Sequence, residues 1–153
     1  TCGGLAIGLS NAAVSHAMAL PLGARLGTPH GLALAALQPV VLAHTWEAQP
    51  ERCAVLAETV GATRPDMSTK EKARALVVWI GDFVREIGLH DLSAAVVADD
   101  GMSAQLAKDV FAYMRRPVSQ YRPVFTEEEI RKMFEQTLGG NRPKAVHAAP
   151  SIS

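Results

Sequence analysis

The apolar positions along this chain recur mainly at intervals of three and four residues, the spacing of one face of an α-helix. The clearest example begins at Ser68, which forms a capping-box pattern with Glu71. The apolar stripe that follows consists of Ala73, Leu76, Val77, Ile80, Val84 and Ile87. A second capping box, Thr126 with Glu129, opens a predicted helix over 127–138. Strand-like runs and hairpin-turn dipeptides are scarce, so the pattern predicts an all-α fold.

Two N-terminal segments, Leu5–Leu20 and Gly31–Leu42, are apolar on nearly all sides. A helix of this kind is usually buried and packed closely against other helices. Proline lacks a backbone N–H and clashes with the preceding turn, so we expect Pro21, with Gly23, to end the first helix. For the same reason, Pro39 should kink or shorten the second helix.

Shorter stripes predict two more helices. The segment Pro50–Val60 has proline at its first position and Gly61 just past its end, and 103–115 carries an apolar face. The predicted inward positions are Cys53, Leu56, Ala57 and Val60 in the first helix, and Leu106, Ala107, Val110 and Met114 in the second, with Lys108 and Asp109 outward. Residues 141–153 contain two prolines and no periodicity, which predicts a disordered tail and leaves 1–140 as one helical domain.

Composition narrows the possible partners. The chain has 153 residues, and its 15 basic residues balance 15 acidic ones. A neutral domain lacks the basic face that nucleic acids and anionic membranes require, so we expect neither as a partner. The longest apolar stretch, Gly31–Ala43, is shorter than the roughly 20 residues needed to cross a bilayer. Two cysteines, Cys2 and Cys53, cannot form a disulfide framework, and no signal peptide is recognisable, so we expect a cytoplasmic protein.

Two of the five histidines, His16 and His30, are placed where they could act together. His16 lies in the first apolar helix and His30 at the start of the next, and the intervening turn, 21–27, can bring the two imidazoles together. Neutral imidazole is a preferred ligand of iron, zinc and similar divalent ions. Spacing alone does not decide the matter, because a histidine in such a helix is more often a hydrogen-bonded core residue.

The residues around this pair resemble those of the iron-containing (group III) alcohol dehydrogenases. In that family a His-Ala/Gly-x-x-His-Pro-Leu-Gly-Ala element is followed by Pro-His-Gly. Here His16 precedes Leu20-Pro-Leu-Gly-Ala, and Pro-His30-Gly follows. The resemblance covers about residues 4–139. It implies the helical metal-binding domain of the dehydroquinate synthase-like fold, in an enzyme that couples NAD(P) to the oxidation of a small alcohol or the reduction of a carbonyl compound.

By this resemblance, His16 and His30 are two of the four protein ligands of a catalytic Fe²⁺ or Zn²⁺ ion. The other two ligands, an Asp and a His on an earlier helix in the family, have no counterpart here. The family's N-terminal nucleotide-binding domain, with its Gly-rich loop, also has none. We therefore expect a fragment of a larger, homo-oligomeric oxidoreductase that is inactive on its own.

Leu20 departs from the family pattern, because many members carry a second histidine at this position. In a helix, Leu20 lies on the same face as His16, so it should line the substrate pocket with apolar surface and cannot relay a proton. Two alternatives stay open: a maleylacetate-reductase-like oxidoreductase of the same superfamily, and a non-catalytic helical binding or assembly module.

Overall fold

The structure is a computed structural model that describes residues 14–89, 92, 101–114 and 123–138. Within these residues the chain is helical and contains no strand, which confirms the all-α prediction. The elements are α1 (Val14–Leu26), α2 (His30–Thr45), a 3₁₀ turn (Trp46–Ala48), α3 (Pro50–Thr59), α4 (Thr69–Glu86), α5 (Met102–Tyr113) and α6 (Glu127–Leu138). The predicted tail, 141–153, and the start of the first predicted helix, 5–13, lie outside the described residues.

Helix α1 continues through Pro21, so the predicted end of this helix was wrong. The proline leaves one carbonyl of the preceding turn without its usual partner, at a cost of about 3 kcal/mol. The neighbouring Met18 and Leu22 are fully buried, and burial of such side chains contributes about 1.5–3 kcal/mol each, which offsets that cost. The helix ends at Leu26. The next residue, Gly27, has a φ of 64°, which favours glycine, and its N–H donates to the Gly23 carbonyl at 3.0 Å.

Helix α2 also contains its proline, Pro39, and is not shortened by it. Leu37 and Val41, on either side of the proline, are buried in the core, so tertiary packing holds the helix together at this point. Beyond Val41 the helix continues to Thr45, whose hydroxyl donates to the Val41 carbonyl at 2.9 Å. Two prolines that sequence rules treat as helix breakers are thus accommodated because their helices are buried.

The capping box predicted at the start of α4 is confirmed. The Ser68 N–H donates to the Glu71 carboxylate at 2.8 Å, and the Glu71 N–H donates to the Ser68 hydroxyl at 3.4 Å. The equivalent box at α6 is also present, because the Thr126 N–H donates to the Glu129 carboxylate at 2.7 Å and the Glu129 N–H donates back at 3.3 Å. Each box satisfies backbone donors that would otherwise be unpaired at a helix start.

Helix α3 buries a narrower strip than its sequence predicts. Cys53 and Ala57 are buried as expected, but Leu56 is 55% exposed and Val60 is also exposed, which corrects the predicted inward face. The reason is that α3, within the described residues, packs mainly against α4 and the 3₁₀ turn. One neighbouring helix covers only part of a helix surface. Likewise Ile87, predicted to end the α4 stripe, lies past the helix end and is exposed.

Helices α5 and α6 pair with each other, and their apolar faces largely follow the prediction. Leu106, Ala107 and Val110 of α5 are fully buried. In α6, Ile130, Met133 and Phe134 are fully buried. Asp109, predicted to face solvent, instead makes an ion pair with a residue of α1 and is 12% exposed.

The buried apolar side chains form two clusters. We call the larger one, built from α1, α2, α5 and α6 together with Leu92 and Phe125, the main core. The smaller one, Cys53, Ala57, Ala73 and Leu76, joins α3 to α4 and is called the hairpin cluster. Helix α2 contacts both regions, because it packs against α1 and α6 and also against α4.

Candidate metal centre

The two histidines predicted to act together are adjacent in the structure. His16 lies in the first turns of α1 and His30 is the first residue of α2. Their ring centroids are 5.5 Å apart, and the ring planes are inclined by 59°. The turn over 27–29 reverses the chain and brings the start of α2 back toward α1.

The spacing of the two rings fits a shared metal ion. Metal–nitrogen bonds of about 2.0–2.1 Å and a tetrahedral angle place the centroids of two imidazoles on one ion about 5 Å apart. The separation of His16 and His30 is close to this value.

One ring nitrogen in the pair lacks a partner. His16 Nδ1 is buried and has no hydrogen-bond partner. Most buried polar atoms in proteins are paired, and an unpaired one calls for an explanation such as a water, an ion or a missing neighbour. The only other such side-chain atom in the part of the chain that is described is the hydroxyl of Thr28, in the turn just before His30. Thr28 lies in the turn between α1 and α2, and His16 lies on α1 beside His30, the first residue of α2.

The rest of a ligand set is not found beside the pair. Among the described residues, no group of three or more His, Cys, Asp and Glu side chains is arranged to hold a metal ion. Catalytic metal sites usually have three or four protein ligands. The two imidazoles therefore fit as half of a site.

An apolar groove of about 360 Å³ adjoins His16. Its walls come from α1, α2 and α4, and its lining consists of Ser15, His16, Leu34, Ala35, Gln38, Trp79, Ile80, Phe83, Val84 and Ile87. Trp79 and Phe83 stack on each other in this wall, with ring centroids 5.2 Å apart. Sequence analysis did not identify the groove, because its walls come from segments distant in the chain.

Leu20, predicted to line a substrate pocket, lies one helical turn after His16 on α1 and is 47% exposed. It is not among the residues that line the groove. The structure thus places an exposed apolar side chain near the histidine pair, on the same helix as His16.

An ion pair that sequence analysis missed holds α1 against α5. Arg25, in the last turn of α1, donates through Nε to Asp109 Oδ2 and through Nη2 to Asp109 Oδ1 at 3.0 Å. Gln105 adds a donor to the same carboxylate at 3.2 Å. The hydrogen bond from Arg25 lowers the pKa of Asp109, and the same contact raises the pKa of Arg25. The two residues are 84 positions apart in the chain, and no local pattern links them.

Two other singled-out residues have ordinary surroundings. His44 lies near the end of α2, and its Nε2 is 3.2 Å from Gln136 Oε1 of α6. Cys53 is a free, buried thiol in the hairpin cluster, and burial raises its pKa, so it is not a reactive thiolate. His90, His147 and Cys2 lie outside the described residues.

Comparison with known proteins identifies the family. A model of the C-terminal part of the Fe-containing alcohol dehydrogenase family matches residues 1–138. The chain belongs to the Fe-containing alcohol dehydrogenase family. The resemblance drawn from the two histidine elements is thereby confirmed.

Proteins similar to this chain include dehydrogenases. A 1,3-propanediol dehydrogenase from Citrobacter freundii is 31% identical over 139 residues, which cover 88% of this chain and 34% of that protein. A choline dehydrogenase from Bacillus subtilis is 33% identical over 106 residues, which cover 69% of this chain and 26% of that protein. A crystal structure of a 1,3-propanediol oxidoreductase matches with a TM-score of 0.73 and 28% identity, covering 84% of this chain and 33% of that one. The chain thus spans about a third or less of the length of these relatives.

No helix within the described residues has both the length and the apolar character needed to span a membrane.

Proposed function

We propose that this chain is the helical metal-binding part of an NAD(P)-dependent alcohol dehydrogenase, with His16 and His30 as two ligands of a divalent ion, Fe²⁺ or Zn²⁺. The observation that carries the proposal is the adjacency of the two rings, 5.5 Å apart, with His16 Nδ1 buried and unpaired. Membership of the Fe-containing family supports the choice of chemistry.

In this proposal the two histidines act as ligands and not as acids or bases. Neutral imidazole offers one lone pair to a metal ion and keeps its proton on the other nitrogen. When bound, the ion supplies a positive charge that lowers the pKa of an alcohol hydroxyl and polarises a carbonyl oxygen. Hydride transfer to or from the nicotinamide needs NAD(P), which the proposal assigns to the part of the relatives that this chain does not span.

Leu20 contributes an apolar wall in this proposal. Its side chain can exclude water beside the reacting alcohol, and it has no group that could accept a proton. The substrate is therefore expected to be a small alcohol or carbonyl compound whose proton leaves by another route. The chain taken alone is expected to bind metal weakly and not to turn over substrate, because two neutral ligands hold a divalent ion less firmly than a complete set.

The proposal includes the oligomeric state and the cellular location of the complete enzyme. The complete enzyme is expected to be a homo-oligomer in the cytoplasm, where the two cysteines stay reduced.

Metal-dependent melting of the 153-residue chain tests the ligand assignment. Zn²⁺ at ten times its Kd should stabilise the folded state by about 1.4 kcal/mol. For a domain of this size that is a rise in Tm of about 3–6 °C. The double substitution His16→Ala, His30→Ala should abolish the shift. His44→Ala is the matched control, because it removes a histidine that is remote from the pair, and it should keep the shift. An equal shift in the double variant, or none in the wild type, would overturn the assignment.

A further inference from the structure

The apolar groove beside His16 begins at the histidine pair. His16 belongs both to the pair and to the lining of the groove. On α2, His30, Leu34 and Gln38 follow one another at intervals of four residues, so they share one face of that helix. Leu34 and Gln38 also line the groove. The groove therefore extends along α2 away from the pair, and the span from His30 to Gln38 is about 12 Å.

The α4 wall shows which end of the groove lies far from the histidines. Ile80 of α4 and Leu42 of α2 both pack against the hairpin cluster. Leu42 is one turn beyond Gln38, so the end of the groove that contains Ile80 lies toward the end of α2. Next to Ile80, Trp79 stacks on Phe83 with ring planes inclined by only 3°. The far end of the groove is therefore a flat aromatic wall.

The lining of the groove fits a hydrocarbon chain. Seven of its ten residues are apolar, and nearly all of the surface inside it is apolar, so the Ser15 hydroxyl and the Gln38 amide contribute little to it. The volume of about 360 Å³ lies within the range of small-molecule sites. A polyol would lose hydrogen bonds to water on entering such a groove and would regain few of them. An alkyl chain has none to lose.

We propose that this groove binds the hydrocarbon chain of the substrate, whose oxygen lies at the histidine pair and whose methyl end reaches the wall formed by Trp79 and Phe83. The substrate class is then an alkanol, or the corresponding aldehyde, and not a diol or polyol. The inference rests on the proposed function for the ion that binds the oxygen, although the groove itself is a property of the metal-free chain. Trp79 and Phe83 are specificity-determining residues in this assignment.

The first experiment locates the two ends of an alkanol in the metal-free protein. Nuclear Overhauser effects between 1-hexanol and the 153-residue chain report which protons lie close together. The terminal methyl group should contact the ring protons of Trp79 and Phe83. The methylene group next to the oxygen should contact the ring of His16, because the hydroxyl keeps its hydrogen bonds at that end. The reverse orientation would overturn the proposal. So would uniform contacts along the chain, the result expected of a surface that another part of the protein covers.

The second experiment compares ligands by titration, with the indole N–H resonance of Trp79 as the signal. Each methylene group added between 1-butanol and 1-hexanol should lower the Kd by about two- to fourfold, because the groove buries it. The diol 1,6-hexanediol should bind at least about 5-fold more weakly than 1-hexanol, since its second hydroxyl enters an apolar wall. Equal Kd values for the alkanol and the diol would overturn the assigned substrate class.

A pair of variants tests the aromatic wall. Phe83→Ala should raise the Kd for 1-hexanol by about 5-fold, because it removes one of the two stacked rings. Phe83 is 43% exposed, so the fold should tolerate the change, and circular dichroism verifies that it does. Val78→Ala is the matched control, because Val78 is also an exposed residue of α4 but does not line the groove. The control should bind as the wild type does. Equal Kd values in the wild type and Phe83→Ala would overturn the role of the wall.

The outcomes distinguish this inference from the proposed function. Oriented binding of 1-hexanol in a chain whose Tm does not respond to Zn²⁺ would uphold the alkanol site and overturn the ligand assignment. A rise in Tm with Zn²⁺ that is lost in His16→Ala, His30→Ala, together with unoriented binding of 1-hexanol, would uphold the ligand assignment and overturn the alkanol site.

Discussion

The main core and the hairpin cluster differ in how their helices use apolar residues. Helices α1 and α2 are apolar on nearly every side, and most of their large side chains are covered by neighbouring helices. Helices α3 and α4 bury mainly small residues against each other, and large side chains such as Leu56 and Val78 remain exposed. Helices α1 and α4 each pack against two other described helices, so the difference follows the apolar content of the helices and not the number of their neighbours.

Small residues make the hairpin cluster compact. Ala57 and Ala73 are both fully buried where α3 meets α4. Short side chains let two helices approach closely, so extensive backbone contact accompanies a modest buried volume. The main core instead contains Phe134, Met18 and Leu37, all fully buried, and gains more from each side chain.

The largest effect is expected from a cavity in the main core. Phe134→Ala removes a fully buried ring and should lower the free energy of unfolding by about 3–5 kcal/mol, because the surrounding side chains cannot fill the space. Urea denaturation monitored by circular dichroism measures the change. A loss below 1 kcal/mol would show that the main core is not the principal source of stability.

An intermediate effect is expected at the start of α4. Ser68→Ala removes the capping hydroxyl and should lower the free energy of unfolding by about 1 kcal/mol. The hydrogen bonds from Ser68 lower the pKa of Glu71. Because the folded pKa is depressed, this stabilisation is present above the unfolded value of about 4.3 and is lost as the pH falls through the folded pKa.

The pH dependence of stability tests the role of the Ser68 cap. Denaturation midpoints between pH 7 and pH 3 should fall less steeply in Ser68→Ala than in the wild type. Thr126→Ala serves as a comparison, because it removes the same kind of box from a helix of the main core, where hydrogen bonds from Thr126 lower the pKa of Glu129. Parallel pH curves for wild type and Ser68→Ala would contradict the assigned cause.

The smallest effect is expected on the outer face of α3. Leu56→Ser changes a side chain that is 55% exposed and should alter the free energy of unfolding by no more than about 0.5 kcal/mol. Ala57→Ser, one residue away and fully buried, is the contrast and should cost more, because it places a hydroxyl in the hairpin cluster. If both variants lowered the free energy of unfolding equally, Leu56 would have to be buried, as the sequence pattern predicts.

Local patterns predicted the features that depend on a few neighbouring residues. The two capping boxes, the bounds of α6 and the inward faces of α5 and α6 were all predictable, because each rests on contacts within one helix or on a single clear stripe. The ends of α1 and α2 were not, since burial of the flanking side chains outweighs the local cost of Pro21 and Pro39.

The candidate site also has features that the sequence predicts and features that depend on the packing of the helices. The family and the pair His16 and His30 were predictable from the two histidine elements alone, because residue types at fixed separations are visible in a linear chain. The folded chain was needed to show that the two rings lie 5.5 Å apart and that Arg25 contacts Asp109, 84 residues away. Those distances follow from how whole helices pack, and helix packing is determined by burial summed over the domain.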